Sequence, residues 1–192
     1  LHREAVGDAV TDADGDIRIL PGIAQARADR PDVVRGEETQ LLGMIDPSFT
    51  GLVCIPGTHS KWIPVDHSSG RAQVRTFSTM MTGELHAWLV ADSLVCKGIP
   101  EAPAWSDEAF SRGVEVAAKG ANLVEETFRT RARWLLGDLP PAAAPSYLSG
   151  LLIGHEIGAM TGKHGAREAL VLVGAARLCA LYASAAAQLS FA

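Results

Sequence analysis

Hydroxyl, glycine and cationic residues come together in one short segment, PGTHSK at residues 56–61, directly after the apolar run GLVCI. Gly57 lets the backbone approach a ligand closely. Thr58 and Ser60 offer hydroxyl groups, Lys61 offers a point charge, and successive backbone N–H groups can form an anion-binding nest. The segment lacks Walker A spacing. It therefore fits either a phosphate-binding loop or an ordinary hairpin turn.

A second segment that could do chemistry is RGEETQ at residues 35–40. The Arg35 guanidinium can bind a carboxylate or a phosphate through two parallel hydrogen bonds. Glu37 or Glu38 could act as a general base towards a hydroxyl group. The alternative is an ordinary exposed helix start, where the helix dipole favours acidic residues. Taken alone, the two glutamates are more typical of that alternative.

Two further glycines stand at points where ligands often bind. Thr82 and Gly83 open a predicted helix whose N–H groups could face a phosphate, and Glu84 lies in its first turn. Gly174 separates a predicted strand from a predicted helix, and α/β proteins bind ligands at the carboxyl ends of such strands. A plain N-cap and a plain strand–helix turn give the same two patterns.

The elements that must position these residues follow from hydrophobic periodicity. IRILPGIA predicts a short strand that stops at Pro21-Gly22, and PDVVRGEETQLLGMI predicts a helix that begins near Arg35. Three strands follow, GLVCI, KWIPV and AQVRTF, of which the first is apolar throughout, as in a central strand. Thr82 should then cap a helix with an apolar face made of Leu85, Trp88 and Leu89.

The second half of the chain is mostly helical in pattern. Helices are expected around SDEAFSRGVEVAAK and LVEETFRTRARWLLG, then a linker, PPAAAP, and a helix over SYLSGLLIGHEIGAM. In that last helix Gly150, Gly154 and Gly158 fall on one face and would let another backbone approach closely. A final strand and helix flank Gly174. The order of elements predicts an α/β fold with a mixed sheet.

Composition sets limits on the partners. The formal net charge of the 192 residues is -5, which argues mildly against a nucleic-acid or anionic-membrane partner. No apolar run reaches the roughly 18 residues that a membrane span needs. Cys54, Cys96 and Cys179 form no CxxC pair, so we expect buried thiols in a reducing compartment, the cytoplasm. A homo-oligomer is compatible with the sequence, which does not decide the oligomeric state.

In this order and at these distances, RGEETQLLG, PGTHSKW, FSTMMTGELHA and YLSGLLIGHEI closely resemble the 2-dehydro-3-deoxygalactonokinase family of sugar kinases. The resemblance extends from IRILPGIA to LVGAARLCALY, and residues 98–145 add nothing to it. It implies the actin-like, ribonuclease H-like ATPase fold, whose two lobes close over ATP, Mg²⁺ and a sugar acid. The implied reaction is ATP-dependent phosphorylation of 2-dehydro-3-deoxy-D-galactonate at its 6-hydroxyl, in galactonate breakdown.

The resemblance also implies a division of the chain. Residues 1–49 would supply the last strand and helix of the first lobe. Residues 50–192 would form the second lobe, with an antiparallel set of three first strands, flanking helices and a helical insertion at about 98–145. The family opens its first lobe with an Asp-Trp-Gly-[Ser/Thr]-Thr loop that this chain lacks, so we expect the chain to be part of a longer protein.

Site roles carry over by motif. The implied base is Glu38 or Glu37, Arg35 and Gly36 would bind the sugar acid, and Gly174 would lie at the adenosine. The residues that the resemblance implies for phosphate binding are Gly57, Thr58, His59, Ser60 and Lys61. The residues that it implies near Mg²⁺-bound water are Thr82, Gly83 and Glu84, and it implies no direct metal ligand in this chain.

Two other functions remain open from the sequence. The enzyme could instead phosphorylate the gluconate epimer or another hexonate, because a single stereocentre separates the two deoxy acids. The chain could also be a truncated module that binds nucleotide without catalysis, since it lacks the first phosphate loop.

Overall fold

The computed structural model describes residues 10–11, 18–19, 22–44, 46, 48–68, 71–164 and 169–190. The segment DADGD at residues 12–16, whose composition predicts a turn, and Ile45, the last residue of the predicted first helix, lie outside these residues. Internal contacts divide the chain into two compact units. The first takes residues from 1–56, 60–80 and 168–174, and the second takes residues from 57–59, 81–167 and 175–192. The predicted lobe boundary between residues 49 and 50 stays a prediction.

The first unit begins with two short antiparallel strand pairs. Strand β1 (Val10–Thr11) pairs with β2 (Arg18–Ile19), and β3 (Ile23–Gln25) pairs with β4 (Asp32–Val34). The short strand predicted before Pro21-Gly22 is confirmed by β2, whereas the separate strand β3 after Gly22 was not predicted. Strand β4 was missed, since its short apolar run was assigned to the lead of the following helix.

Helix α1 (Glu37–Met44) begins two residues later than the predicted start near Arg35. The reason is Gly36, whose φ of 103° lies in the left-handed region that only glycine adopts readily. The helix can start only after this residue. Glu37 and Glu38 lie in the first turn, as the sequence predicts.

The main sheet of the first unit is mixed. Its strands are β5 (Gly51–Ile55), β6 (Ser60–Ser68), β7 (Arg71–Val74), β8 (Ser78–Met80) and β9 (Leu170–Leu172). The order is β7-β6-β5-β9, with β8 also paired to β6. Strands β5, β6 and β7 are antiparallel, whereas β9 runs parallel to β5. All five residues of β5 are buried. The mixed α/β arrangement, its antiparallel first three strands and the central place of GLVCI are thus confirmed.

The third predicted strand, AQVRTF, is wrong in extent. It ends at Val74, and the separate strand β8 was missed. Between the two, the Thr76 hydroxyl and the Phe77 N–H donate to Oε1 of Gln25, at 2.6 and 3.2 Å. These groups therefore leave the strand ladder, and β6 is long enough to pair with β7 at one end and β8 at the other.

Seven buried apolar side chains from β4, β5, β6 and their neighbours form the core of the first unit. They are Val34, Val53, Ile55, Ile63, Val65, Phe77 and Val173. This core fixes β5 and β6, and therefore the two ends of the segment at residues 56–61.

The second unit is helical. Its helices are α2 (Thr82–Ala91), α3 (Asp107–Ala118), α4 (Leu123–Leu135), α5 (Ala144–His164) and α6 (Ala176–Gln188). The side chains of Ser106 and Asn122 cap α3 and α4 by accepting from backbone N–H groups at 3.1 Å. Both predicted helices between residues 98 and 145 are confirmed. Among the described residues, no helix is both long enough and apolar enough to cross a membrane.

Three local predictions in this unit are wrong. PPAAAP is not a linker, because Pro141–Ala143 forms a 3₁₀ turn that leads directly into α5, and proline is tolerated in a first helical turn. Thr82 is not a side-chain cap: Met81 is the N-cap, and Thr82 is the first helical residue. Trp88 does not belong to the apolar face, since it is 54% exposed, while Leu89 is buried as predicted.

Helices α3 and α5 approach so closely that glycines are required between them. A Cβ at Gly150 would lie 1.9 Å from the carbonyl oxygen of Phe110, and one at Gly154 would lie 2.7 Å from Cβ of Ala117. Gly113 of α3 meets the carbonyl oxygen of Tyr147 in the same way, at 2.2 Å. A Cβ at Gly158 would meet nothing within 4 Å, so the predicted close approach holds for two of the three glycines and is wrong for Gly158.

We expect Gly150→Ala to lower the free energy of unfolding by about 1–3 kcal/mol or more, because its methyl group would overlap the α3 backbone. Gly158→Ala is the matched control. It should raise stability by up to about 1 kcal/mol, since alanine favours the helix over glycine. Urea unfolding followed by circular dichroism measures both. Equal effects of the two changes would contradict the close packing of α3 on α5.

Candidate functional site

In the first unit, the candidate residues at the start of α1 are held by their own backbone. The Arg35 N–H donates to Oε2 of Glu37 at 2.9 Å, and the Gly36 N–H donates to Oε2 of Glu38 at 2.7 Å. Both carboxylates therefore fold back over two consecutive amide groups. This arrangement caps the start of the helix.

The two glutamates differ in their remaining oxygen atoms. Oε1 of Glu37 lies 3.0 Å from Nζ of Lys61, and the two side chains are 21% and 7% exposed. Glu38 is also buried, but its Oε1 has no hydrogen-bond partner among the described residues. An unpaired buried carboxylate oxygen is costly, and such atoms need an explanation in a native structure. Both carboxylate oxygens of Glu37 therefore have a partner, whereas Oε1 of Glu38 is available to accept a hydrogen bond from a ligand.

The electrostatics of Glu37 agree with its pairing. Burial by itself raises the pKa of this carboxyl. Hydrogen bonds from its own backbone, from Lys61 and from Arg35, together with the charge of Lys61, outweigh burial and hold the pKa below its ordinary value. Glu37 is consequently held ionised, which makes it a weak proton acceptor at neutral pH.

Arg35 has the opposite surroundings. Its side chain is exposed, and within the described part of the chain its guanidinium makes no ion pair. The fork of N–H donors is therefore available to a carboxylate outside the protein. The structure thus brings Arg35, Gly36, Glu37 and Glu38 together at one helix start, with Lys61 beside them.

In the second unit, the loop at residues 57–59 packs on the start of α2. The Glu84 N–H donates to the Thr58 carbonyl at 3.0 Å, and Nε2 of His59 lies 2.5 Å from Oε2 of Glu84. A Cβ at Gly83 would lie only 2.4 Å from the Gly57 carbonyl oxygen. Glycine at position 83 is therefore required by the close approach of the loop, a reason that the sequence did not reveal.

The remaining predicted phosphate-loop residues have different surroundings. A Cβ at Gly57 would meet nothing within 4 Å, so the backbone there can be approached closely. The hydroxyl group of Ser60, which is buried, donates to the Met80 carbonyl at 3.3 Å. Gly174 follows β9 with a φ of 151°, which confirms the predicted strand, glycine and helix order. The ligand roles of these residues stay predictions.

A cavity of about 70 Å³ borders this loop within the second unit. Gly57, Thr82 and Gly83 line one side, and residues of α2, α5 and α6 line the rest, including His86 and Tyr182. His86, which is half-buried, donates through Nε2 to the Pro145 carbonyl at 2.9 Å. Sequence reasoning missed Tyr182 as a lining residue, because a tyrosine in an alanine-rich helix carries no functional pattern.

Among the residues whose placement is described, no group of three or more histidine, cysteine, aspartate or glutamate side chains could hold a metal ion directly. Glu84, which the resemblance places near Mg²⁺-bound water, is engaged with His59. Its carboxylate is 53% exposed and can still contact a hydrated ion through water.

The Lys61–Glu37 ion pair should make the free energy of unfolding depend on pH. We expect Glu37→Gln to lower the free energy of unfolding at pH 7 by about 1–3 kcal/mol, since it leaves a buried ammonium with a weaker partner. The lowered pKa of Glu37 gives a contribution that is complete above its unfolded pKa and is lost as the pH falls through the folded value. The difference in unfolding free energy between wild type and variant, called the gap below, should therefore narrow below about pH 4.5.

Urea unfolding at pH 7, 5 and 3.5 measures this gap. The control is Glu115→Gln, which changes an exposed glutamate on α3 and should leave the gap near zero at every pH. A gap for Glu37→Gln that stays constant over this range would contradict the ion pair as its source.

Comparison with known proteins identifies the family. The family model described as 2-keto-3-deoxy-galactonokinase matches residues 2–192. The chain is 36% identical over 181 residues to the 2-dehydro-3-deoxygalactonokinase of Escherichia coli (strain K12), covering 94% of this chain and 60% of that protein. It is 41% identical over 185 residues to a protein of Rhizobium meliloti (strain 1021) that is provisionally named for the same activity, covering 92% and 58%.

A solved structure agrees with these relatives. The crystal structure of a Sinorhizobium meliloti protein, provisionally assigned as a 2-dehydro-3-deoxygalactonokinase, matches with a TM-score of 0.81 and 38% identity. The match covers 96% of this chain and 62% of that one. The chain thus spans about three fifths of the length of these proteins. With a family model matched over nearly all of its residues, the chain belongs to the 2-keto-3-deoxy-galactonokinase family.

Proposed function

We propose that the complete protein is an ATP-dependent kinase that transfers a phosphoryl group to the 6-hydroxyl of 2-dehydro-3-deoxy-D-galactonate. The observation that carries this proposal is the family match over residues 2–192, to which the two named relatives add their agreement. Its substrates are then the sugar acid and ATP with Mg²⁺, and its place is the cytoplasm. The actin-like ATPase fold with two closing lobes belongs to the same proposal, and the mixed sheet is compatible with it.

Glu38 is the better candidate for the general base. Its buried Oε1 has no hydrogen-bond partner among the described residues. Glu38 can therefore accept the proton of the 6-hydroxyl as the hydroxyl oxygen attacks the γ-phosphorus and ADP leaves. Glu37 has both oxygens engaged, one by Lys61 and one by the Arg35 N–H. The choice that the sequence leaves open between the two glutamates therefore falls on Glu38.

Arg35 and Gly36 would position the sugar acid. The exposed guanidinium can bind the substrate carboxylate through two parallel hydrogen bonds, which fixes its orientation as well as its place. Gly36 has a conformation that a larger residue would adopt only with strain, and it holds Glu38 through its N–H group. Arg35 thus acts on binding, and Glu38 acts on the reacting hydroxyl.

The loop at residues 57–59 fits the phosphate end of ATP. Its backbone is open at Gly57 and is held from behind by Gly83 and Glu84 of α2. Backbone N–H groups fixed in this way can stabilise phosphate oxygens without reorganising. When bound, Mg²⁺ would neutralise part of the phosphate charge. Glu84 could contact the hydration shell of the ion, and the described residues offer no direct ligand set.

A coupled assay of ADP release tests the proposed reaction directly. The complete protein, purified with these residues, is given ATP and Mg²⁺ with either 2-dehydro-3-deoxygalactonate or its gluconate epimer. We expect higher kcat/KM for the galactonate derivative. Preference for the epimer would assign the enzyme to the other sugar acid, and no turnover with either would refute the kinase proposal.

A second candidate concerns the 192-residue chain alone, because it spans only about three fifths of its relatives. It could bind nucleotide without turning it over. Calorimetry with ATP and Mg²⁺ on this chain separates the two cases: binding without ADP release favours the module, and measurable turnover excludes it.

The assignment of the base gives a kinetic prediction. In the complete protein, Glu38→Gln should lower kcat by about 10²- to 10⁴-fold with little change in KM for the sugar acid, since the variant keeps its shape but loses the proton acceptor. Glu37→Gln should cost about tenfold or less. Steady-state kinetics at saturating ATP measure both, and Glu115→Gln serves as the unaffected control. Near-normal kcat in Glu38→Gln, or an equal loss in Glu37→Gln, would contradict the assignment.

A further inference from the structure

Lys61 has surroundings that do not suit a phosphate ligand. Its side chain is 7% exposed, and its ammonium nitrogen lies 3.0 Å from Oε1 of Glu37. A buried ammonium is stable only with a paired and hydrogen-bonded counter-charge. Moving it onto an ATP phosphate would leave Glu37 without that partner, in a site where only 21% of the carboxylate side chain is exposed.

The pairing links two elements of the first unit. Lys61 is the second residue of β6, and Glu37 is the first residue of α1. Because the core of the unit fixes β6, the ion pair also fixes the start of the helix that carries Glu38. The second oxygen of Glu37 accepts from the Arg35 N–H, so one carboxylate joins the strand, the helix start and the backbone of the substrate-binding arginine.

The charge of Lys61 also affects the neighbour of Glu37. The two glutamates are adjacent in the chain and accept from consecutive amide groups. A like charge nearby disfavours the ionised form of a carboxyl group, whereas a cation relieves this effect. Lys61 compensates the charge of Glu37, which without Lys61 would stand uncompensated one residue from Glu38.

We propose that Lys61 is a positioning residue of the kinase, which pairs with Glu37 and holds it in place so that Glu38 serves as the proton acceptor. The inference rests on the proposed function, and it gives Lys61 a role different from the phosphate contact that the sequence predicts. Lys61 touches neither the sugar acid nor ATP in this account. Its removal should therefore change the pH dependence of the reaction and not the affinity for ATP.

The test compares Lys61→Met with the double variant Lys61→Met/Glu37→Gln in the complete protein. In Lys61→Met the uncompensated charge of Glu37 should move the acid limb of the kcat–pH profile to higher pH by about one unit. The double variant removes both charges and should return the limb to its wild-type position. The KM for ATP should stay within about twofold in both variants. Lys97→Met, an exposed lysine changed in the same way, is the control.

Three results would overturn the proposal. One is a tenfold or larger rise in the ATP KM of Lys61→Met that persists in the double variant, as expected for a lost phosphate contact. The others are an acid limb that does not move in Lys61→Met, and a limb that stays displaced in the double variant. Should Lys61→Met fail to fold, the double variant, a neutral pair of similar shape, decides by its ATP KM and its acid limb.

The failure of the proposed reaction would be recognised separately. Wild-type protein that does not phosphorylate the sugar acid refutes the kinase proposal, whatever the variants do. The affinity for ATP with Mg²⁺, measured by calorimetry, still tests Lys61 in that event: an affinity that falls tenfold in both variants identifies a phosphate ligand and overturns the positioning role.

Discussion

A lysine ammonium that is almost fully removed from water requires a counter-charge, and this requirement organises the candidate site of the first unit. Nζ of Lys61 forms an ion pair with one carboxylate oxygen of Glu37 at 3.0 Å, and this pair links the start of α1 to β6. The apolar core behind β5 and β6 supplies the rigidity. One consequence is that two adjacent glutamates become chemically different: both carboxylate oxygens of Glu37 have partners, whereas Oε1 of Glu38 has no hydrogen-bond partner among the described residues.

Close backbone approach plays the corresponding part in the second unit. Gly83 lets the start of α2 reach the loop at residues 57–59, and Gly113, Gly150 and Gly154 let α3 and α5 reach each other. A Cβ at any of these positions would overlap backbone or side-chain atoms. The position of the loop therefore depends on its packing against α2, a helix to which we assign no phosphate-binding group. Packing that requires glycine thus positions the backbone N–H groups that we propose for ATP.

The sequence predicted what periodicity and polarity determine. The buried strand GLVCI, the helices α3 and α4, and the two acids in the first turn of α1 all follow local patterns. Prediction from the sequence was wrong where a contact between residues distant in the chain determines the local structure. The break after Val74 depends on Gln25, about fifty residues away, and Trp88 is exposed although its spacing fits the apolar face. In the site, residue types identified the glutamates, but only the contact with Lys61 separates Glu37 from Glu38.

The most direct test is a crystal structure of the complete protein with the sugar acid and a non-hydrolysable ATP analogue. We predict that a carboxylate oxygen of Glu38 lies within about 2.6–3.2 Å of the 6-hydroxyl oxygen, the distance that proton transfer requires. Glu37 should still be paired with Lys61 in that complex. An ammonium group of Lys61 on the ATP phosphates, or Glu37 in place of Glu38 at the hydroxyl, would contradict the account.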